Sequence, residues 1–433
     1  MKFKIHRGTK EIGGSCVEVW TDTTRILLDF GMPLVDEYGS QFNFEKYKAL
    51  TVQELIEESV LPNIRGLYND TDKLIDGIIL SHAHKDHFGL LNYVHKNVMH
   101  YLGKATHEII KLNNIFTLQD LQLQNTCYFE KTKTFKIGDI SITPYWADHS
   151  AFDAYSFLVE ANDKRIFYSG DFRSHGRKAG AFEWFIRNAP KNIDYLLLEG
   201  TTIGRSDKAF KTEEELELDF AKTFRNSNSI NYVWTSSQNV DRLVTIYKAC
   251  LKSDKTFVVD VYTANVLDTL AEFAQLPTPL KDYRQMMVLF PNRLTTQLFD
   301  KKLGHLANKF AIKKIIKEVI SENPSKYVLM VRPSMKNDLN KIVADKGNLI
   351  YSMWNGYKKQ SSSVEFLDWL KSKNFTIIDI HTSGHADTPA LKQLVEGIQP
   401  KYIVPIHTFE GDRYREIFKE PIVRLRDGEV REI

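Results

Sequence analysis

At 433 residues the chain is long enough for two domains with cores of their own. A formal net charge of +3 permits a local basic patch without arguing for one, and three widely spaced cysteines point to reduced thiols rather than a disulfide framework or a cysteine metal site. No apolar run approaches the roughly 18 residues of a membrane helix. No signal pattern precedes the strand-like start Met1-Lys2-Phe3-Lys4-Ile5. A cytoplasmic protein without membrane contact is expected.

In chain order, Arg25-Ile26-Leu27-Leu28 reads as a strand that ends on Asp29. Residues 30 to 75 are long for a connection and carry a helix-like stretch over 52–58, so a lid or wall beside a site is expected there. Asp76 to Leu80 is a buried strand, with a helical pattern expected from Phe88. Between them stands Ser81-His82-Ala83-His84-Lys85-Asp86-His87, four potential metal ligands within six residues on a strand-to-helix turn. Neutral imidazole and carboxylate suit a borderline cation such as zinc, and the lack of cysteine favours a catalytic over a closed structural site. His82 and His84 can reach one metal, and Asp86 and His87 point toward a second. Three further apolar runs end on ligand types: residues 142–149 on His149, 165–171 on Asp171 and 402–407 on His407. This is the pattern of several strands delivering side chains to one sheet edge.

These residues resemble the metallo-β-lactamase superfamily, whose His-x-His-x-Asp-His hallmark reads here as His82, His84, Asp86 and His87. The resemblance implies one zinc on His82, His84 and His149 and a second on Asp86, His87 and His407. Asp171 would bridge the pair, and Asp29 would orient ligands from behind without binding metal. Two cations a few ångströms apart share and deprotonate a water and offset charge on the attacking and leaving oxygens. Zinc is the expected metal, with manganese as the alternative.

Tyr195 to Thr202, with Glu199, resembles the acidic motif of the β-CASP subgroup. Ser383-Gly384-His385-Ala386-Asp387 resembles its histidine motif, and Pro405-Ile406-His407 its last one. That subgroup includes RNase J and the endonuclease of pre-mRNA 3′-end processing, and it acts on nucleic acids. The implied fold is an α/β αββα sandwich, residues 1–203 and 373–433, with a parallel-sheet β-CASP domain inserted at 204–372. Strand candidates 232–234, 256–259 and 327–331 alternate with helical patterns over 240–252 and 264–275 in the insert, and 375–380 is expected to resume the first domain. Ser236 to Arg242 resembles a Ser-Asn-x-x-Arg element, departing at Gln238, which makes Asn239 and Arg242 substrate-contact candidates.

The expected function is hydrolysis of RNA or single-stranded nucleic acid by a metal-activated water. His385 would be the general acid, with Glu199 setting its tautomer, Asp86 serving the metal chemistry, and Ser383 and Gly384 letting a phosphate approach the backbone. Alternatives are a DNA-processing or defence nuclease with the same site, a scaffold subunit, and a small-molecule hydrolase of the same fold. With so few residues following His407 in this sequence, RNase J-like dimerisation through an extra C-terminal domain is not expected, and nothing in the sequence indicates a homodimer. Lys301 to Lys317 and the aromatic run Tyr351 to Tyr357 are weaker candidates for backbone and base contacts.

Overall fold

The computed structural model describes all residues except 37–40, 70–72, 118–120, 179, 206–207 and 282. Apolar residues alternate along Lys2–Arg7 and Ile140–Ala147, so these strands bury one face each. Two sheets use those faces to close on one another. The first runs in the order Val430–Glu432, Lys2–Arg7, Cys16–Trp20, Arg25–Leu28, Gly77–Ile79, Met99–Leu102, Thr126–Tyr128; the second runs Tyr402–Ile406, Tyr195–Glu199, Lys164–Tyr168, Ala154–Ala161, Ile140–Ala147, Phe135–Ile137. Phe3, Ile5, Val19 and Ile26 of the first meet Ile142, Phe157, Ile166 and Val404 of the second in one core. Helices Ala181–Asn188 and Thr388–Ile398 cover the outer face of the second sheet through Phe182, Phe185, Leu391 and Leu394. The long segment over 30–75 adds Leu55, Leu61, Ile64 and Leu67 to the core that also holds Ile109 and Ile110 of helix Lys104–Phe116. Its described residues therefore include a packed core layer.

The third sheet is parallel throughout, in the order Lys314–Ile315, Met286–Leu289, Thr256–Asp260, Tyr327–Met330, Ile230–Trp234, Gly347–Tyr351, Phe375–Asp379. The expected αββα sandwich with an inserted parallel sheet is the observed architecture. One boundary is corrected. Phe375–Asp379 pairs with Gly347–Tyr351 as the edge of the third sheet, so it does not resume the first domain. An apolar strand can pair in either sheet, and its alternation does not say which. Helix Val240–Lys252 falls where its pattern predicts, while the next spans Val261–Leu270. Asp260 explains that earlier start, since its carboxylate accepts the Thr263 backbone N–H and caps the helix.

Two helices tie the insert to the sandwich. Phe116 stacks on Tyr262 at 4.9 Å, and Asn113 Oδ1 accepts hydrogen bonds from the Tyr262 hydroxyl (3.0 Å) and Gln238 Nε2 (2.6 Å). Gln238, the departure within its motif, is part of this joint.

Candidate metal centre

Strand direction places the site. Arg25–Leu28 and Gly77–Ile79 are parallel neighbours, so Asp29 and the histidine turn leave the first sheet at one edge. Lys164–Tyr168, Tyr195–Glu199 and Tyr402–Ile406 are parallel too, which sends Asp171, Glu199 and His407 to one edge of the second. Two antiparallel steps give Ile140–Ala147 the same direction, and His149 follows it. The helix expected behind the histidine motif instead begins inside it: Lys85–Phe88 is a single turn with His84 as its N-terminal flank. Gly89 ends that turn.

Three groups of ligand atoms result, each within 4.8 Å of one another: His82, His84 and His149; Asp86, His87, Asp171 and His407; and Asp171, Glu199, His385 and His407. His149 Nε2 faces His84 Nδ1 at 3.2 Å. His87 Nε2 lies 3.0 Å from Asp171 Oδ2, and His407 Nε2 lies 3.3 Å from Asp86 Oδ2. Asp171 belongs to two of the groups and so stands between them.

Neighbours fix the tautomers. Asp29 accepts hydrogen bonds from the Ser81 hydroxyl (2.7 Å), the Tyr168 hydroxyl (2.7 Å) and His87 Nδ1–H (2.8 Å). With its proton committed to Asp29, Ser81 Oγ is left to accept from His82 Nδ1–H at 3.0 Å. Thr201 Oγ1 likewise donates to the His407 carbonyl at 3.3 Å and accepts from His407 Nδ1–H at 2.8 Å. His82, His87 and His407 thus each keep Nε2 as a lone-pair donor, the second half of a ligand-orienting pair. Asp29 and His407 both hold left-handed backbone, with φ of 59° and 55°. Strain of that kind persists where the surroundings over-determine it.

The electrostatics agree for His82, His84 and His149, while His87 shifts the other way. Burial, with the neighbouring imidazoles, drives the pKa values of His82 and His149 far below the usual histidine range, and burial brings His84 down to about 4. Neutral rings are what a cation needs. Burial opposes ionisation of Asp86 and Asp171, but the surrounding histidines hold both carboxyls well below their usual range. Burial also works against charge on His87, and there Asp171 and Asp29 win and raise its pKa. Among the described residues, buried His82 Nε2 and His149 Nδ1 have no hydrogen-bond partner. A buried nitrogen so placed calls for an occupant. The donor set fits metal binding.

Glu199 accepts backbone N–H groups from Phe172 (3.3 Å), Thr201 (3.2 Å) and Ala386 (3.4 Å). Its Oε2 lies 3.3 Å from His385 Nδ1, and Asp171 Oδ2 lies 3.6 Å from the same nitrogen, close enough for ion pairing without hydrogen-bond alignment. Burial lowers the His385 pKa, but Glu199 and Asp171 outweigh it and the net shift is upward. Asp387 caps the following helix by accepting the Ala390 N–H at 2.9 Å. Capping and a place in the ligand cluster therefore coexist in one motif. Ser383 and Gly384 lie against the His149 loop: a Cβ on Gly384 would come within 2.4 Å of Ser150 Oγ.

One expected substrate contact is corrected. Arg242 is fully buried and pairs with Glu213 (Nη2–Oε1 2.9 Å, Nε–Oε2 3.0 Å) and with Ser352, so it presents nothing to a groove. Asn239 caps helix Val240–Lys252 by accepting the Arg242 backbone N–H at 3.2 Å. The basic region is partly neutralised, with Lys309 on Asp268 and Lys317 on Asp338.

The sequence reading missed several supports. Besides Ser81 and Thr201, His175 donates from Nε2 to the Ser383 carbonyl at 2.8 Å and holds the loop that carries His385. Gly31 is the tightest: a Cβ there would lie 1.6 Å from the Asp86 carbonyl oxygen. Thr201 sits two residues past Glu199, and Ser81 opens the histidine motif, so proximity to a ligand was the one available signal.

Comparisons with known proteins accord with this geometry. Residues 58–225 match a family model described as a beta-lactamase superfamily domain, and residues 372–412 match one described as a Zn-dependent metallo-hydrolase RNA specificity domain. The chain is similar to ribonuclease J of Mycoplasma genitalium, with 20% identity over 94% of this chain and 67% of that protein. With ribonuclease J of Helicobacter pylori B128 the identity is 22%, over 92% of this chain and 55% of that protein. It thus spans between half and two thirds of these relatives' length. The crystal structure of a protein of unknown function from Enterococcus faecalis V583 shares the fold, with a TM-score of 0.81, 23% identity and 99% of each chain covered.

Proposed function

We propose, for a chain that belongs to the metallo-β-lactamase superfamily in its β-CASP, RNase J-like branch, the function of a metal-dependent phosphodiesterase that hydrolyses RNA. One observation carries the reading: a histidine and a carboxylate, His385 and Glu199, stand against the very aspartate that two ligand groups share. His82, His84 and His149 would hold one cation. Asp86, His87 and His407 would hold the other, with Asp171 between them. A bound pair of zinc or manganese ions supplies Lewis acidity and a water acidified toward neutral pH.

The chain's own residues account for the rest. His385 Nδ1 faces Glu199 and Asp171, so Nε2 is the nitrogen left to carry a proton to the departing 3′-oxygen. The upward pKa shift keeps that proton available. Glu199, held by three backbone N–H groups, fixes the ring's orientation. Ser383 and Gly384, small and anchored by His175, leave room for a phosphate beside His385. Asp29, Ser81 and Thr201 keep the ligand nitrogens turned inward.

The test is incubation of the purified protein with 5′-labelled RNA and DNA, single- and double-stranded, with zinc or manganese and with a chelator. Cleavage of RNA that the chelator abolishes is expected. Mononucleotides would indicate exonucleolytic attack and discrete internal fragments endonucleolytic attack. Failure to cut any oligonucleotide with metal present would overturn the reading, and cleavage of DNA alone would redirect it to DNA processing.

A further inference from the structure

Trp354 stands apart from the other tryptophans among the described residues, because it alone is exposed, to 50%. A single exposed aromatic means little by itself. Three further features give this one a role. Its ring is held: a Cβ on Gly356 would come within 2.5 Å of three atoms of its six-membered ring, so the ring lies against bare backbone. The Tyr357 ring meets it edge-on, at 5.3 Å and 88°. The Trp354 carbonyl accepts from the Tyr351 hydroxyl at 3.1 Å and from the Tyr357 N–H at 3.1 Å. A surface side chain held this way has already lost most of the freedom that binding would otherwise take from it.

The second feature is charge. The Arg205 guanidinium lies over the Trp354 ring, 5.6 Å from its centroid. Arg205 is exposed, and among the described residues no carboxylate pairs with it. Arg332, by contrast, is tied to Asp260, and Lys358 to Asp379. A stacked guanidinium without a counterion keeps its edge N–H groups free for phosphate.

The third is position. Arg205 follows Glu199 by six residues, on the loop whose Thr201 holds His407, and its backbone N–H donates to the Thr202 carbonyl at 3.0 Å. Trp354 follows the strand Gly347–Tyr351 of the third sheet. The pair therefore joins the insert to the ligand-bearing edge.

We propose that Trp354 and Arg205 form a stacking subsite for one nucleotide next to the scissile phosphate, the base lying on Trp354 and Arg205 gripping the adjoining phosphate. It rests on the nuclease reading above and specifies how a single strand is held at the mouth of that site. Stacking on an aromatic face suits every base, so the subsite favours unpaired strands over duplex without reading sequence.

The experiment is a binding cycle with short, labelled, single-stranded oligoribonucleotides and a set of the same strands carrying one abasic position each. Trp354→Ala should weaken binding of the intact strand roughly five- to hundredfold, the span seen on removal of one base-stacking aromatic. That loss should vanish with one particular abasic strand and persist with the others, a coupling that a merely structural role would not produce. Trp354→Phe should recover most of the affinity. Arg205→Ala should lower the log–log salt slope by about 0.7, one single-strand phosphate contact. If wild-type protein binds RNA and no abasic position couples to Trp354, the subsite is wrong while the nuclease reading stands. If wild-type protein neither binds nor cuts any oligonucleotide, both fall.

Discussion

Gly31 offers a demanding check on how the centre is held. Its backbone runs beside the histidine turn, and two hydrogen bonds join them directly, Phe30 N–H to the His87 carbonyl (2.8 Å) and Met32 N–H to the Lys85 carbonyl (2.9 Å), while two more run through Ser15, Gly31 N–H to the Ser15 carbonyl (3.0 Å) and Ser15 N–H to the Asp86 carbonyl (3.0 Å). Its φ is not left-handed, so Gly31→Ala imposes no dihedral strain of that kind. The obstacle is contact. The new Cβ would lie 1.6 Å from the Asp86 carbonyl oxygen and 2.2 Å from its carbon, whereas ordinary contact begins at 3.4 Å. Both clashing atoms are backbone, so no side chain can swing aside. The turn carrying Asp86 and His87 must retreat, and with about 1 kcal/mol for each hydrogen bond broken the fold should lose roughly 2–4 kcal/mol. A ligand turn displaced by about 1 Å costs on the order of 10²-fold in rate. Zinc titration by calorimetry, thermal unfolding with and without zinc, and RNA cleavage read the three consequences. A Gly31→Ala protein with wild-type zinc affinity and turnover would refute the claim that this contact positions the turn.

Three more outcomes are expected. His385→Ala should lose roughly 10²–10⁴-fold in cleavage rate while elemental analysis still finds both metals; equal loss of metal would make His385 a ligand. Thr201→Val removes the acceptor for His407 Nδ1–H and should weaken metal binding roughly 10- to 100-fold, measured by chelator competition, with Thr201→Ser largely restoring it. Burial works against Glu213 ionising, yet Arg242 and Arg173 hold its pKa down at about 2 against an ordinary 4.5. Its contribution is therefore complete above pH 4.5 and lost as pH falls toward 2, and Glu213→Gln should unfold at lower temperature at neutral pH with a shallower loss below 4.5. Acid unfolding curves of identical slope would count against it.

The metal-ligand candidates were legible because ligand chemistry restricts residue type and because each ligand ends an apolar run. His82, His149, Asp171 and His407 announce themselves that way, and parallel strands bring them to one edge. What stayed hidden depends on partners far away in sequence. Nothing near Arg242 says that Glu213 will bury against it, and a motif Arg reads equally well as a phosphate contact. Phe375–Asp379 has an apolar pattern that either sheet could use, and only its pairing decides. Gly31 looks like any loop glycine until the Asp86 carbonyl is seen beside it.

The misread arginine exposes how the two parts of the molecule are joined. Arg173, two residues past Asp171, is fully buried and reaches Asp148 beside His149 (Nε–Oδ1 3.2 Å), Glu213 (3.7 Å) and Asp241 of the insert. Arg242 extends the same network through Glu213 to Ser352, whose hydroxyl donates to the Ile380 carbonyl at 2.6 Å, five residues before His385. Two buried guanidinium groups are thus shared among three carboxylates, one on a ligand loop and two on the insert. Such a cluster is a poor source of net stability, because desolvation offsets most of the attraction. It is effective at fixing relative position, since losing one partner leaves a charge stranded in the interior. A cluster that touches the neighbours of His149, Asp171 and His385 therefore sets the insert, and with it Trp354, against the metal ligands as one rigid unit. Two domains built from separate sheets are joined twice over, by this charge cluster and by an apolar core in which Phe116 of one meets Tyr262 of the other.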